Sequence, residues 1–97
     1  MKYLVVDGML SGPGIRDLYE GGYITPKNLG VSEALAQKID SWLSRYHIAH
    51  YDGYKDIPTL EGLDAEGIEI AKMLLDELTD TKIDYYYSDW KSQAILI

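Results

Sequence analysis

The chain has 97 residues, 46% hydrophobic and 26% charged, which is the make-up of one globular domain and too short for two. It contains no cysteine, which excludes a disulfide scaffold, cysteine-ligated zinc, an iron–sulfur cluster and thiol catalysis. Its net charge of −7 is unevenly placed: residues 1–51 hold five acids and five bases, residues 52–97 eleven acids and four bases. Such a surface repels phosphate backbones and anionic lipid, so neither nucleic acid nor membrane is an expected partner, and a cationic protein is.

Tyr3-Leu4-Val5-Val6 is apolar on both faces and stops at Asp7-Gly8, the pattern of a buried, central strand. The apolar run is also shorter than a signal-peptide core, and no stretch approaches the roughly 20 apolar residues of a membrane helix, so a cytoplasmic protein is expected. Ile15, Leu18 and Tyr19 have i, i+3, i+4 spacing before Gly21, which predicts a one- or two-turn helix. Thr25-Pro26 followed by Gly30 frames a single further turn, with threonine as cap and proline at the first helical position.

The clearest helix covers residues 33–46. Ser32 caps it, and Leu35, Ile39, Trp42, Leu43 and Tyr46 form one apolar stripe. A strand over 48–51, a turn at Asp52-Gly53 and a returning hairpin arm over 54–57, ended by Pro58, are expected next. A second helix follows over 65–78, with Asp64 as its cap and Leu63 stapled to Ile68. Its buried stripe is Ile68, Ala71, Leu74, Leu75 and Leu78, and Gly67 in its first turn implies a close backbone approach. Lys82–Tyr87 alternates, with Ile83, Tyr85 and Tyr87 on one side. A loop over 88–91 would then join it to an apolar strand over 93–97 as a terminal hairpin. The expected fold is α+β: one mixed sheet of about four strands, in the order β-α-α-β-α-β-β, with two main helices packed on it.

Few residues carry a motif for chemistry. The glycine-rich run from Gly8 to Gly14 follows a strand but lacks the Gly-Lys-Ser/Thr ending of a phosphate-binding loop, and Pro13 removes a donor. His47 and His50, three apart with Asp52 and Asp56 nearby, match no metal motif, and no serine sits in a nucleophile elbow. No catalytic residue, metal ligand or cofactor is therefore expected. The anomaly is aromatic: nine tyrosines and two tryptophans, but no phenylalanine. Tyrosine joins a rigid apolar ring to a polar tip and is enriched at interfaces. Tyr51, Tyr54, Tyr85, Tyr86, Tyr87 and Trp90 interleave with Asp52, Asp56, Asp84 and Asp89, the composition of a docking surface, and Tyr51, Asp52, Tyr54, Asp56, Asp84, Tyr86, Asp89 and Trp90 are the expected partner-binding residues. The competing reading places Tyr85 and Tyr87 in the core and only Tyr86 outside.

The sequence resembles the small immunity proteins of bacterial contact-dependent growth inhibition systems. The likeness lies in Lys2-Tyr3-Leu4-Val5-Val6-Asp7-Gly8 with Ser11-Gly12-Pro13-Gly14-Ile15-Arg16-Asp17, in His50-Tyr51-Asp52-Gly53-Tyr54, and in Leu63-Asp64-Ala65-Glu66-Gly67-Ile68-Glu69-Ile70-Ala71-Lys72. The resemblance implies a cytoplasmic, non-catalytic inhibitor of one cognate toxin domain, often a nuclease. It carries no residue roles. Two other readings stand beside it: a small enzyme built around His47 and His50, and an adaptor or regulatory domain that self-associates through its terminal strands.

Overall fold

A computed structural model of the chain describes residues 1–8, 13–87 and 93–97. The architecture is α+β, as expected, with a mixed four-stranded sheet in the order β2-β1-β3-β4. The elements are β1 (Lys2–Asp7), β2 (Ile15–Asp17), α1 (Pro26–Leu29), α2 (Glu33–Tyr51), α3 (Ile57–Glu77), β3 (Thr81–Tyr86) and β4 (Ala94–Leu96). The central pair β1 and β3 is parallel, Leu4 lying opposite Ile83, and the crossover between them contains α2 and α3. Both edge strands are antiparallel to their neighbours. Among the described residues, no helix is long and apolar enough to cross a membrane.

The two long helices cover one face of the sheet. Leu4, Val6, Ile15, Ile83 and Tyr85 point into the core from the strands, and Leu35, Ile39, Trp42, Tyr46, Leu60, Ile70 and Leu74 meet them from the helices. The α1 turn forms as expected: the Thr25 hydroxyl accepts the Asn28 N–H, and Gly30 takes the left-handed conformation. Ser32 caps α2, its Oγ accepting the Leu35 N–H at 3.2 Å. It also donates to Glu77 at the far end of α3, Oγ to Oε2 at 2.7 Å and backbone N–H to Oε1 at 2.6 Å.

Those two bonds stabilise the charged form of Glu77 and hold its carboxyl below the usual carboxylate range, the backbone donor contributing most. A depressed folded-state value contributes stability above the unfolded value, and that contribution is lost as pH falls through the folded one. In Ser32→Ala, which removes the hydroxyl donor but keeps the backbone one, a carboxyl-resolved NMR titration is expected to move Glu77 only part of the way back up toward the ordinary range. An unchanged midpoint would contradict this coupling of the two helix ends.

Four sequence expectations are corrected. First, the short helix over 15–19 is a strand and a turn. Ile15 is buried beneath α2, whereas Leu18 and Tyr19 are exposed, so their helical spacing marks no shared buried face. The Asp17 carboxylate accepts the N–H groups of Tyr19 and Glu20, and this side-chain turn ends β2. Second, the strand over 48–51 is the last turn of α2, because Ala49 continues the buried stripe beyond Tyr46. Asp52-Gly53 does form a turn, but it closes a helix: the Asp52 N–H donates to Ile48 and the Gly53 N–H to His50.

Third, the arm over 54–57 is absent and Pro58 opens α3 rather than ending a strand. Proline tolerates the first helical turn because its missing N–H has no partner there. Asp56 is the true cap, accepting the Thr59 N–H and hydroxyl at 3.3 and 2.8 Å. Fourth, Asp64 lies inside α3, only 3% exposed, and caps nothing. With the helix starting at Ile57, its buried side runs through Leu60, Leu63, Asp64, Gly67, Ile70, Ala71 and Leu74, while Ile68, Leu75 and Leu78 lie at its margin. The terminal strands pair as expected, and the loop placed at 88–91 lies outside the described residues.

The close approach expected at Gly67 is real. A Cβ there would fall 2.7 Å from Cζ and Oη of Tyr85, whereas one on Gly62, in the same helix, would meet open space. Opposite outcomes are therefore expected in chemical denaturation. Gly62→Ala gains about 0.5–1 kcal/mol through helix propensity. Gly67→Ala loses about 1–3 kcal/mol by displacing the ring.

Candidate functional site

The expected partner-binding residues divide between two faces of the molecule. Tyr51, Asp52, Tyr54 and Asp56 gather where α2 turns into α3, in the helical layer. Asp84 and Tyr86 alternate with the core residues Ile83 and Tyr85 and so project from the uncovered side of the sheet. Asp89 and Trp90 lie outside the described residues.

At the corner, Tyr51 is 80% exposed and Ile48, one turn earlier, 64%; Ile57, at the start of α3, is exposed too. Below them two hollows run between the helices. The larger, about 460 Å³, is lined by Arg45, Ile48, Thr59, Gly62 and Leu63. A smaller one, about 130 Å³, continues past Asp52, Tyr54, Lys55, Asp56 and Leu60. The Arg45 guanidinium is paired fork-to-fork with the Glu66 carboxylate, so its charge is offset within the protein. The corner thus combines exposed apolar side chains, a groove able to take an inserted side chain, and carboxylates on its rim.

Ile48 and Ile57 are functional candidates that sequence reasoning missed. The available signal was position. Once α2 is extended to Tyr51, Ile48 stands off the stripe made by Leu43, Tyr46 and Ala49, and an isoleucine on the outer side of a helix has no core to serve.

Tyr54, which lines the smaller hollow, also braces the turn. It sits at a positive φ of 59°, a conformation costly for a bulky side chain. Its hydroxyl donates to Nδ1 of His50. Nε2 of the same ring lies 2.9 Å from the Gly8 carbonyl, which can only accept, so Nε2 carries the proton. Both nitrogens of His50 are thereby engaged in tying the α2–α3 turn to the end of β1. His47 faces another hollow of about 390 Å³ between α1 and α2, beside Lys27, Asp40 and Ser44. Among the described residues no group of three or more His, Cys, Asp or Glu is arranged to hold a metal ion.

The open sheet face carries a layer of paired polar groups. Asp7, 1% exposed, receives Nε–H of Arg16 at 2.6 Å, and the same guanidinium lies 5.9 Å from the centre of the Tyr86 ring. The Tyr3 hydroxyl donates to Asp84 at 2.9 Å, and this bond, which favours the neutral phenol, raises the Tyr3 pKa. Tyr19 packs edge-on against Tyr3 with ring centres 5.9 Å apart. Asp84 and Tyr86 therefore already have partners across the sheet.

The tyrosine surplus finds much of its reason inside the protein. The Tyr85 hydroxyl donates to Oδ1 of buried Asp64 at 2.5 Å, and the Tyr46 hydroxyl shares its proton between that oxygen, at 2.8 Å, and the Tyr87 carbonyl, at 3.0 Å. Trp42 completes the cluster, edge-on to Tyr46 and donating its indole N–H to the Leu63 carbonyl. Phenylalanine at position 46 or 85 would fill the space but leave the carboxylate short of donors. Tyr85 belongs to the core and Tyr87 packs at its margin, while Tyr86 lies on the other side, the distribution that strand alternation requires.

Comparison of the chain with protein families, with curated proteins and with solved structures found no match.

Proposed function

We propose that this protein is a non-catalytic immunity protein that binds and neutralises a cognate cationic toxin domain, a nuclease, in the cytoplasm. The observation carrying this reading is the α2–α3 corner, where exposed Ile48 lines a groove shared with Asp52, Lys55 and Asp56, and exposed Tyr51 stands on the same last turn of α2. Large exposed apolar groups beside a pocket are the chemistry of an interface anchor, and an acidic rim supplies complementarity to a basic partner. The acid excess of residues 52–97, much of it exposed on α3 at Glu61, Glu69, Asp76 and Glu77, supports long-range steering toward such a partner. The resemblance of the sequence to growth-inhibition immunity proteins points the same way.

The assignment narrows the binding surface to Tyr51, Asp52, Tyr54 and Asp56, joined by Ile48 and Ile57. Asp84 and Tyr86 stabilise the open sheet face instead. The test is stopped-flow association with a cationic nuclease toxin domain, at increasing salt. The rate is expected to fall steeply from about 10⁸ M⁻¹s⁻¹ at low ionic strength. A rate independent of salt would remove the electrostatic part of the proposal.

A further inference from the structure

The two edges of the sheet are treated differently by the chain. Beyond β2, residues 22–24 return alongside it: the Asp17 N–H donates to the Gly22 carbonyl, the Ile24 N–H to the Ile15 carbonyl, and Arg16 bridges Tyr23. That edge is closed by the protein itself. At the opposite edge, among the described residues, β4 pairs with β3 on one side only. The Tyr87 N–H donates to the Gln93 carbonyl and the Ile97 N–H to the Ile83 carbonyl, with Tyr85 opposite Ile95. The alternation of an antiparallel ladder then turns the backbone groups of Ala94 and Leu96 outward.

Proteins blunt such an edge by keeping it short, as three-residue β4 is, or with lysine, proline, a bulge or an inward charge. Gln93-Ala94-Ile95-Leu96-Ile97 has no charged residue and no proline, in a chain that carries a charge at 26% of its positions. Leu96 is 66% exposed on the open side of the sheet.

We infer that β4 is a dimerisation strand, whose partner is β4 of a second copy of this chain. The strand is complementary to itself. Run antiparallel with Ile95 opposite Ile95 of the second copy, each outward N–H and carbonyl of Ala94 meets one of Leu96 across a two-fold axis. The two sheets then become one continuous sheet, the Ile95 side chains meet on the core side, and each Leu96 lies beside an alanine rather than another large group. Local charge also favours a copy over a cationic partner. The side chains of the strand carry no charge, so they offer no match to a basic surface and no repulsion to their own image, although each chain as a whole is acidic. A contact this short buries far less than a standard interface, so the dimer is weak and reversible, and it leaves the α2–α3 corner free. This inference is independent of the proposed immunity function.

Sedimentation velocity of the full chain from micromolar to millimolar concentration tests it, with Leu96→Lys and Ala94→Pro alongside. The expected result is a concentration-dependent dimer whose dissociation constant rises about tenfold or more in both variants, with wild-type far-ultraviolet circular dichroism. A wild-type chain that stays monomeric, or a dimer indifferent to both substitutions, would overturn the inference. Should either variant unfold, hydrogen exchange in the wild type decides. Protection of the Ala94 and Leu96 amides must grow with protein concentration, and protection independent of concentration would refute the dimer.

Discussion

Asp64→Ala is expected to destabilise the protein by about 3 kcal/mol or more, lowering its thermal midpoint by roughly 15 °C for a domain of this size. The carboxylate is buried among Trp42, Tyr46 and Tyr85 and accepts from both phenols. Removing it leaves the Tyr85 hydroxyl without its acceptor in a dry core, at about 1–3 kcal/mol, and creates a small cavity as well. Tyr46 suffers less, because the Tyr87 carbonyl remains within 3.0 Å. Burial, and then the Asp64 bond, pushes the Tyr85 pKa far above the usual phenol range, so Tyr85 stays a neutral donor throughout the working range of pH.

Two companion variants make the prediction specific. Asp64→Asn keeps an acceptor oxygen and is expected to cost about 1 kcal/mol. Adding Tyr85→Phe to Asp64→Ala removes the stranded hydroxyl and is expected to recover part of the loss, a coupling read from a double-mutant cycle in urea. An alanine variant as stable as the wild type would mean that the network does not organise the core.

The second large effect concerns binding. On the proposed function, Ile48→Ala with Tyr51→Ala is expected to weaken binding of a toxin domain by about 2–4 kcal/mol, roughly 30-fold to 1,000-fold, mostly through faster dissociation. Both side chains are largely solvent-exposed, so the unfolding midpoint is expected to stay within about 0.5 kcal/mol of the wild type. Calorimetric titration against the toxin domain, paired with thermal melts, separates the two. Asp56 is unsuitable for the same purpose because its carboxylate caps α3, and its loss would mix helix stability with binding.

How far the sequence could be read depended on the strength of its periodicity. The helical stripe from Leu35 to Tyr46 and the alternation from Lys82 to Tyr87 each span enough residues to exclude the competing period, and both elements form. The errors lie where the signal is short and two rules compete. Around Asp52-Gly53, a turn pair that opens many hairpins serves equally well to end a helix, and Pro58 reads as a strand breaker or a helix opener according to what precedes it. Recognising Asp56 as a cap followed by Pro58 and Thr59 would have started α3 at Ile57 and moved Asp64 from the cap to the core.

That shift also changes the meaning of the tyrosines. With Asp64 buried, the missing phenylalanine becomes in part a requirement for donors in the core, and the interface argument rests on fewer side chains. The exposure of Tyr51 was not legible from the expected strand over 48–51; it follows from the extension of α2 to Tyr51, where this residue lies off the buried stripe of Leu43, Tyr46 and Ala49. The convergence of Tyr3 on Asp84, and of Asp7 and Arg16 beside Tyr86, was not legible, since it depends on the pairing of three strands distant in sequence.

The most direct test of the account is survival of cells expressing a cationic nuclease toxin domain together with this protein. Wild-type protein is expected to restore growth, whereas the Ile48→Ala, Tyr51→Ala variant, present at equal abundance, is expected to fail. Growth restored equally by that variant, or no protection by the wild type, would contradict the claim that the corner between α2 and α3 captures a toxin.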